Sequence, residues 1–236
     1  MDTAAFLSAF QKTFSKRQRL KPSSRLSRRF PPFQRFKDPC PDVVGMASPK
    51  KLRLLNLAVS FLSKDDGECY LEVGTYQGKS LIAALLGNQC PAAVACDNFS
   101  EFNSEPEASN FETLSQNLSK YGMSDGVRLF NEDFLTLFGR WQTENLPPVG
   151  VYFYDGAHDE VSQYEAIRSV EPLLSDRALV IVDDWRKDSG SFAEAGTKRA
   201  ISQSQHHWSI QWVLPSRYNG DLAMWWNGVA ILVFNR

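Results

Sequence analysis

The sequence predicts an α/β fold: a doubly wound, mostly parallel sheet of seven strands with helices on both faces, preceded by a basic N-terminal arm. Three observations lead there. Short apolar runs alternate with helix-like stretches, several of them ten or more residues long, which is the pattern of βαβ units. The runs are apolar throughout rather than alternating, as burial on both faces of a sheet requires. Nearly every run also ends in an acid: Glu72, Asp97, Glu132-Asp133, Asp155 and Asp183-Asp184. Ligands of such sheets bind beyond the carboxyl ends of the strands, so these acids would ring one crevice.

Composition bounds the function. The chain has 236 residues, 43% hydrophobic and 22% charged, which suits one globular domain with an appendage and excludes a disordered or fibrous protein. No apolar run approaches the roughly 18 residues of a membrane span. Cys40, Cys69, Cys90 and Cys96 form no C-x-x-C and no zinc spacing with His206 or His207. They read as buried free thiols in a reducing compartment, so a cytoplasmic location is expected.

Residues 1–46 form the arm and 47–236 the body. Ten Lys/Arg against the single acid Asp2 give residues 1–37 a charge of +9, leaving −10 on the remainder of a chain whose net charge is −1. Phe6, Leu7, Phe10 and Phe14 recur at helical spacing, and an irregular Pro/Arg/Ser/Phe-rich stretch follows over 21–41. Three readings stand open: an apolar stripe that packs on the body or on a partner subunit, contact with an anionic surface such as a membrane, or organellar transit. Nucleic acid ranks last, because the body is acidic and carries no nucleic-acid motif. The arm holds none of the strand-end acids, so a body lacking residues 1–37 is expected to fold.

The elements of the body follow in order. Leu52, Leu55, Ala58, Phe61 and Leu62 lie at helical spacing within 48–62, opened by Ser48-Pro49 as cap and first turn. After a turn at 65–67 come a strand over 69–74, a helix over 78–86 and a strand over 92–97. A helix over 107–121, closed by Gly122, leads to a strand over 127–131 and a short helix through 138. Strand 149–154, helix 159–174, strand 178–182 and helix 191–205 complete the alternation, and strands 209–214 and 229–234 close the sheet. On this reading His206 and His207 end a helix, where its dipole favours a cation.

The first strand runs into Glu72-Val73-Gly74-Thr75-Tyr76-Gln77-Gly78-Lys79-Ser80. This is neither G-x-G-x-x-G nor a phosphate-cradling P-loop. Gly74 and Gly78 let the backbone turn tightly against a ligand. The Glu72 carboxylate disfavours a pyrophosphate, and with it a nicotinamide dinucleotide, but suits an ammonium or hydroxyls. Asp97, ending the second strand, stands where an acid accepts ribose hydroxyls. Asp133 reads either as a contact to an adenine edge or as the cap of the next helix. Ser80 reads more readily as the start of a helix than as a ligand contact.

These residues resemble a family. E-V-G-T-x-x-G-K-S at 72–80, A-C-D at 95–97 and N-E-D-F at 131–134 look like the class I S-adenosylmethionine-dependent methyltransferases. Tyr154-Asp155-Gly156-Ala157-His158, Val182-Asp183-Asp184-Trp185 and Trp225-Trp226-Asn227-Gly228 look like the branch of macrocin-type sugar O-methyltransferases and cephalosporin hydroxylase-like proteins. The resemblance covers roughly 65–236. It implies a Rossmann-like methyltransferase fold. It also implies S-adenosyl-L-methionine as cofactor, with Glu72, Gly74, Thr75, Gly78 and Ser80 on the methionine side, Asp97 at the ribose, Asp133 at the adenine and Asp155 at the reacting end.

Asp155, Asp183 and Asp184 end neighbouring strands. Without a basic partner they would repel one another unless a cation sits between them, and Mg²⁺ prefers such oxygen ligands. The resembled branch uses these positions for a divalent metal and the His158 position for a general base. Trp185, Trp225, Trp226 and Tyr218 would lie exposed near the same mouth, ready to stack on an acceptor, with Trp225 and Trp226 equally readable as cover for a sheet edge. The expected activity is metal-assisted O-methylation of a sugar-like or natural-product-like hydroxyl. Alternatives are N- or C-methylation on the same fold, or a degenerate cofactor-binding fold that acts as an interaction module. Homo-oligomers fit either.

Overall fold

The computed structural model describes residues 1–14, 36–62, 67–90, 92–100, 109–186 and 191–236. The turn expected at 65–66, the start of the helix expected from 107, and residues 15–35 of the arm lie outside them.

The elements run α1 (Thr3–Phe14), α2 (Pro49–Val59), β1 (Cys69–Val73), α3 (Lys79–Leu85), β2 (Ala93–Asp97), α4 (Asn110–Lys120), β3 (Val127–Asn131), α5 (Phe134–Gly139), β4 (Val149–Tyr154), α6 (Glu160–Val170), β5 (Leu174–Asp183), α7 (Phe192–Ser202), β6 (His207–Leu214) and β7 (Val229–Asn235). The seven strands form one sheet in the order β3-β2-β1-β4-β5-β7-β6. β1 to β5 pair in parallel, and β7 inserts antiparallel between β5 and β6. The order reverses at β1/β4, which is where a doubly wound sheet opens its ligand crevice.

Local chemistry sets the helix starts. Ser48 accepts from the Lys51 amide with Pro49 in the first turn, and Ser109 and Glu112 form a reciprocal capping box. Asp159 accepts from Val161 and Ser162, and Ser191 from Glu194. α7 stops at Ser202, so the expected helix through 205 is too long. His207 begins β6, and the His206 ring packs edge-on against Phe234, 5.4 Å between centroids. The two histidines therefore guard no helix end.

Strand alternation divides the core. Tyr70, Ala95, Phe153, Ile181 and Ile231 face α1 to α4, whereas Leu71, Val94, Tyr152, Val180 and Leu232 face α5 to α7. The arm joins the first of these cores. Phe6 is 0% and Phe10 3% exposed, and Phe10 lies 4.3 Å from the Trp212 ring and 4.8 Å from Phe14. Phe14 continues the contact to Trp225 at 5.3 Å. Phe6 and Phe10 share one hydrophobic cluster with Leu52 and Leu55 of α2, across the boundary expected at residue 46. Of the readings open for the stripe, packing on the body is the one its burial matches, and a body without it would expose Trp212 and Trp225. Among the described residues no helix is long and apolar enough to cross a membrane.

Candidate active site

One cleft opens at the carboxyl ends of β1, β2, β4 and β5. Its walls include Gly74 to Tyr76, Asp97, Asp133, Asp155 to His158, Asp183-Asp184 and Trp226-Asn227. Every strand-end acid is therefore at the cleft except Glu72.

Glu72 is fully buried and turned to the α3 side of the sheet. Its carboxylate accepts from the Tyr70 hydroxyl at 2.5 Å and from the Ser80 hydroxyl at 2.6 Å. Burial pushes its pKa up to about 7 against the lowering effect of those two bonds. Of the ammonium or hydroxyl partners that suit this carboxylate, the chain itself supplies two hydroxyls. Ser80 stands in the first turn of α3, as expected, and its hydroxyl donates to Glu72 while the residue borders the cleft. The N-cap of α3 is Gly78, in the left-handed conformation at φ +90°.

Gly74, at φ +85°, passes so close to β4 that an added Cβ would stand 2.0 Å from the Asp155 carbonyl oxygen. That approach brings the loop after β1 against the end of β4. Beside it, the Thr75 hydroxyl is buried without a hydrogen-bond partner. Asp97 accepts from the Tyr76 amide and the Phe99 amide, both at 2.8 Å, and borders the cleft. Each of its oxygens retains a lone-pair direction for a ligand hydroxyl. Asp133 accepts from the Leu135 amide at 2.8 Å, so it caps α5, while also lining the cleft.

The Asp155–Asp184 end of the cleft contains a lysine. The Lys51 ammonium, from α2, is ion-paired to Asp183, and both side chains are buried. Burial alone would lower the Lys51 pKa, but Asp183, Asp155 and Asp184 together raise it, so the ammonium persists. The carboxylates do have a basic partner, and Asp183, expected among three metal ligands, spends one oxygen on it. Among the described residues, ligand atoms of Asp155, His158 and Asp184 lie within 4.8 Å of one another.

His158 precedes α6, and its Nδ1 lies 2.8 Å from Oδ2 of Asp184. Asp184 stands at φ +54°, a strained value for a residue other than glycine, which turns it out of the β5 alternation toward His158. Although burial raises the Asp184 pKa, the His158 hydrogen bond and charge bring it below the ordinary carboxylate value. Asp155 goes the other way: desolvation and the adjacent Asp183 raise its pKa well above the usual range. One oxygen each of Asp183 and Asp184 is buried with no hydrogen-bond partner, although that of Asp184 lies 3.9 Å from the Arg186 guanidinium. Hard oxygen donors crowded beside Asp155 are the ligands a divalent cation prefers.

The aromatic reading changes. Trp185 is 1% and Trp225 3% exposed, so they pack the core rather than await an acceptor. Tyr152 and Tyr154 lie in the core on the α5 side. Trp226 borders the cleft at φ +62°, and Tyr218 is exposed. Gly228 is required nearby, since a Cβ there would stand 2.3 Å from the Trp185 carbonyl oxygen.

Residues 71–185 match the family model of a methyltransferase domain. No curated protein matches the chain by sequence. Among solved structures, the O-methyltransferase TomG of Streptomyces achromogenes, involved in tomaymycin synthesis and seen with S-adenosylmethionine, superposes with a TM-score of 0.58 at 18% identity over 83% of each chain. An O-methyltransferase of Bacillus cereus in complex with S-adenosylhomocysteine gives 0.57 at 16% identity, over 82% of this chain and 85% of its own. Cofactor-bound Rv0187 from MTB gives 0.51 at 17% identity, over 99% of this chain and 88% of its own. At these identities the likeness establishes a shared fold.

Proposed function

We propose that the chain is an enzyme of the class I S-adenosylmethionine-dependent methyltransferase type, and that it methylates a hydroxyl oxygen of a small-molecule acceptor, with His158 as general base and a divalent cation held by Asp155 and Asp184. The observation that carries the reading is the 2.8 Å bond between His158 and Asp184, in the same cleft as Asp155, Gly74 and Asp97.

The cofactor side is supported by the close Gly74 turn, the unpartnered Thr75 hydroxyl and the Asp97 carboxylate at the cleft. S-adenosylmethionine, when bound, supplies an electrophilic methyl carbon on a sulfonium. The chain's own residues do the rest. Asp184 holds the Nδ1 proton of His158, which directs Nε2 to the proton of the acceptor hydroxyl. The Asp184 carboxylate then stabilises the imidazolium. The cleft walls would orient the acceptor toward the bound cofactor, and such positioning carries much of the acceleration. A divalent cation, when bound, would orient the acceptor oxygen and favour its deprotonated form.

A cation-free version of the same reaction has one observation in its favour, because Lys51 already neutralises Asp183.

Calorimetry with S-adenosylhomocysteine and methyl transfer to a panel of hydroxyl and amine acceptors, with and without chelator, test the reading. Expected are cofactor binding, transfer to hydroxyls, loss of turnover with chelator and recovery with Mg²⁺ or Mn²⁺. Full turnover in chelator removes the cation and leaves the His158–Asp184 pair. Transfer confined to amines replaces O- by N-methylation. Binding without any transfer favours an interaction module.

A further inference from the structure

Lys79 follows the tight glycine turn after β1, where a lysine invites a phosphate reading, yet its ammonium is already spent on the protein. Nζ donates to the Val43 carbonyl at 2.8 Å and the Cys40 carbonyl at 3.2 Å, and pairs with Asp38 at 2.7 Å. These three contacts match the three donors of an ammonium. The Cys40 thiol donates back to the Lys79 carbonyl at 3.6 Å. Gly45 lies on the lysine stem so closely that a Cβ there would stand 2.5 Å from Lys79 Cβ.

Residues 36–48, so held, reach the cleft at Gly45, Met46 and Ala47. Phe36 packs on Phe14 at 5.2 Å, and Phe14 on Trp225. At the far end Asp42 pairs with Lys120 and accepts from the Tyr121 hydroxyl, on and just after α4. The segment then returns, and the Ser48 hydroxyl donates to the Met224 carbonyl at 2.7 Å. Between these anchors Gly45, Met46 and Ala47 line the cleft alongside Tyr76, and the turn that receives Ser48 also lines it, with Trp226 and Asn227.

We propose that residues 36–48 are a strap forming one wall of the cofactor cleft, and that Lys79 is its clamp: a positioning residue that sets cofactor affinity by holding the strap. The proposal rests on the methyltransferase reading for the identity of the cofactor. The strap joins the loop after β1 to the turn at 221–228, so one clamp disciplines both sides of the cleft.

The test uses the full chain and S-adenosylhomocysteine as probe. Lys79→Met removes the ammonium but keeps the stem. It should raise the calorimetric Kd at least tenfold and speed amide hydrogen exchange across 38–47. Lys79→Arg should retain most of the affinity. Gly45→Ala, which lifts the strap with Lys79 intact, should weaken binding in the same direction. A merely structural lysine would lower the melting temperature and leave Kd, measured well below melting, unchanged; that result overturns the proposal. Should Lys79→Met fail to fold, Gly45→Ala and Asp38→Asn carry the same measurements. If the wild-type protein does not bind the probe, the methyltransferase reading fails, and the clamp stands or falls on hydrogen exchange alone: unchanged exchange over 38–47 in Lys79→Met overturns it.

Discussion

The ammonium of Lys51 in α2 is ion-paired to the carboxylate of Asp183 at the end of β5, and both are shut away from water beneath the cleft. Strand alternation explains the meeting: Asp155 and Asp183 fall on the same phase as Phe153 and Ile181, the face against which α2 packs. Removing one partner of such a pair strands the other's charge. Lys51→Met should therefore lower the unfolding free energy by about 3–5 kcal/mol. The double variant Lys51→Met with Asp183→Asn should regain a substantial part of it, as read by chemical denaturation. Equal stability of the two variants would deny the coupling.

His158→Ala removes the base and should lower turnover by about 10²–10⁴-fold, the usual worth of general-base catalysis. The affinity for S-adenosylhomocysteine should hardly change, because His158 stands on the side of the cleft away from Asp97. Asp184→Asn keeps the size but weakens the hold on Nδ1, and should cost rate in the same direction. Both are measured as kcat and as calorimetric Kd. A loss of affinity with unchanged kcat would place His158 at the cofactor instead.

Stability should fall as pH rises from about 4.5 to about 7. The cause is Glu72, whose pKa goes from the ordinary 4.5 to about 7 on folding because burial disfavours the charge. The folded state then holds a proton that the unfolded state has lost. That stabilisation is fully present below the unfolded pKa and is gone once pH passes the folded one. It amounts to up to about 3 kcal/mol. Glu72→Gln mimics the protonated side chain and should flatten this part of the profile. Denaturation at pH 5 and pH 8 in both proteins reads the difference.

Phe10→Ala should destabilise the protein by about 3–5 kcal/mol, the range for truncating a buried Phe. The ring is 3% exposed and lies against Phe14 and Trp212. A residue on a detached arm would cost almost nothing on truncation, so a change below about 0.5 kcal/mol, the usual surface value, would show that α1 does not pack as described.

The order of elements in the body was legible in the chain, because strands and helices buried in a layered sheet must carry apolar runs and periodic stripes. So was the set of acids at the strand ends, since strand ends face one edge by topology. The ring of acids, however, is not one site. Glu72 is turned inward by the same alternation that makes Tyr70 a core residue, and its partner Ser80 is eight residues on. Nothing local in the sequence announces that contact. Lys51 lies 132 positions before Asp183, and a lysine in an apolar helix reads as a solvent-facing charge until the sheet it packs on is known. The Phe6, Phe10 and Phe14 stripe declared a helix with an apolar face, but which surface would cover it depended on Trp212 and Trp225, placed by the last strands. Sequence alone determined the doubly wound fold, the crevice at its switch point and the acids and histidine at its mouth, because these follow from local periodicity and chain order. Only the tertiary structure decided which charges are neutralised, which tryptophans are core and which loops wall the cleft, because those are long-range pairings chosen by packing.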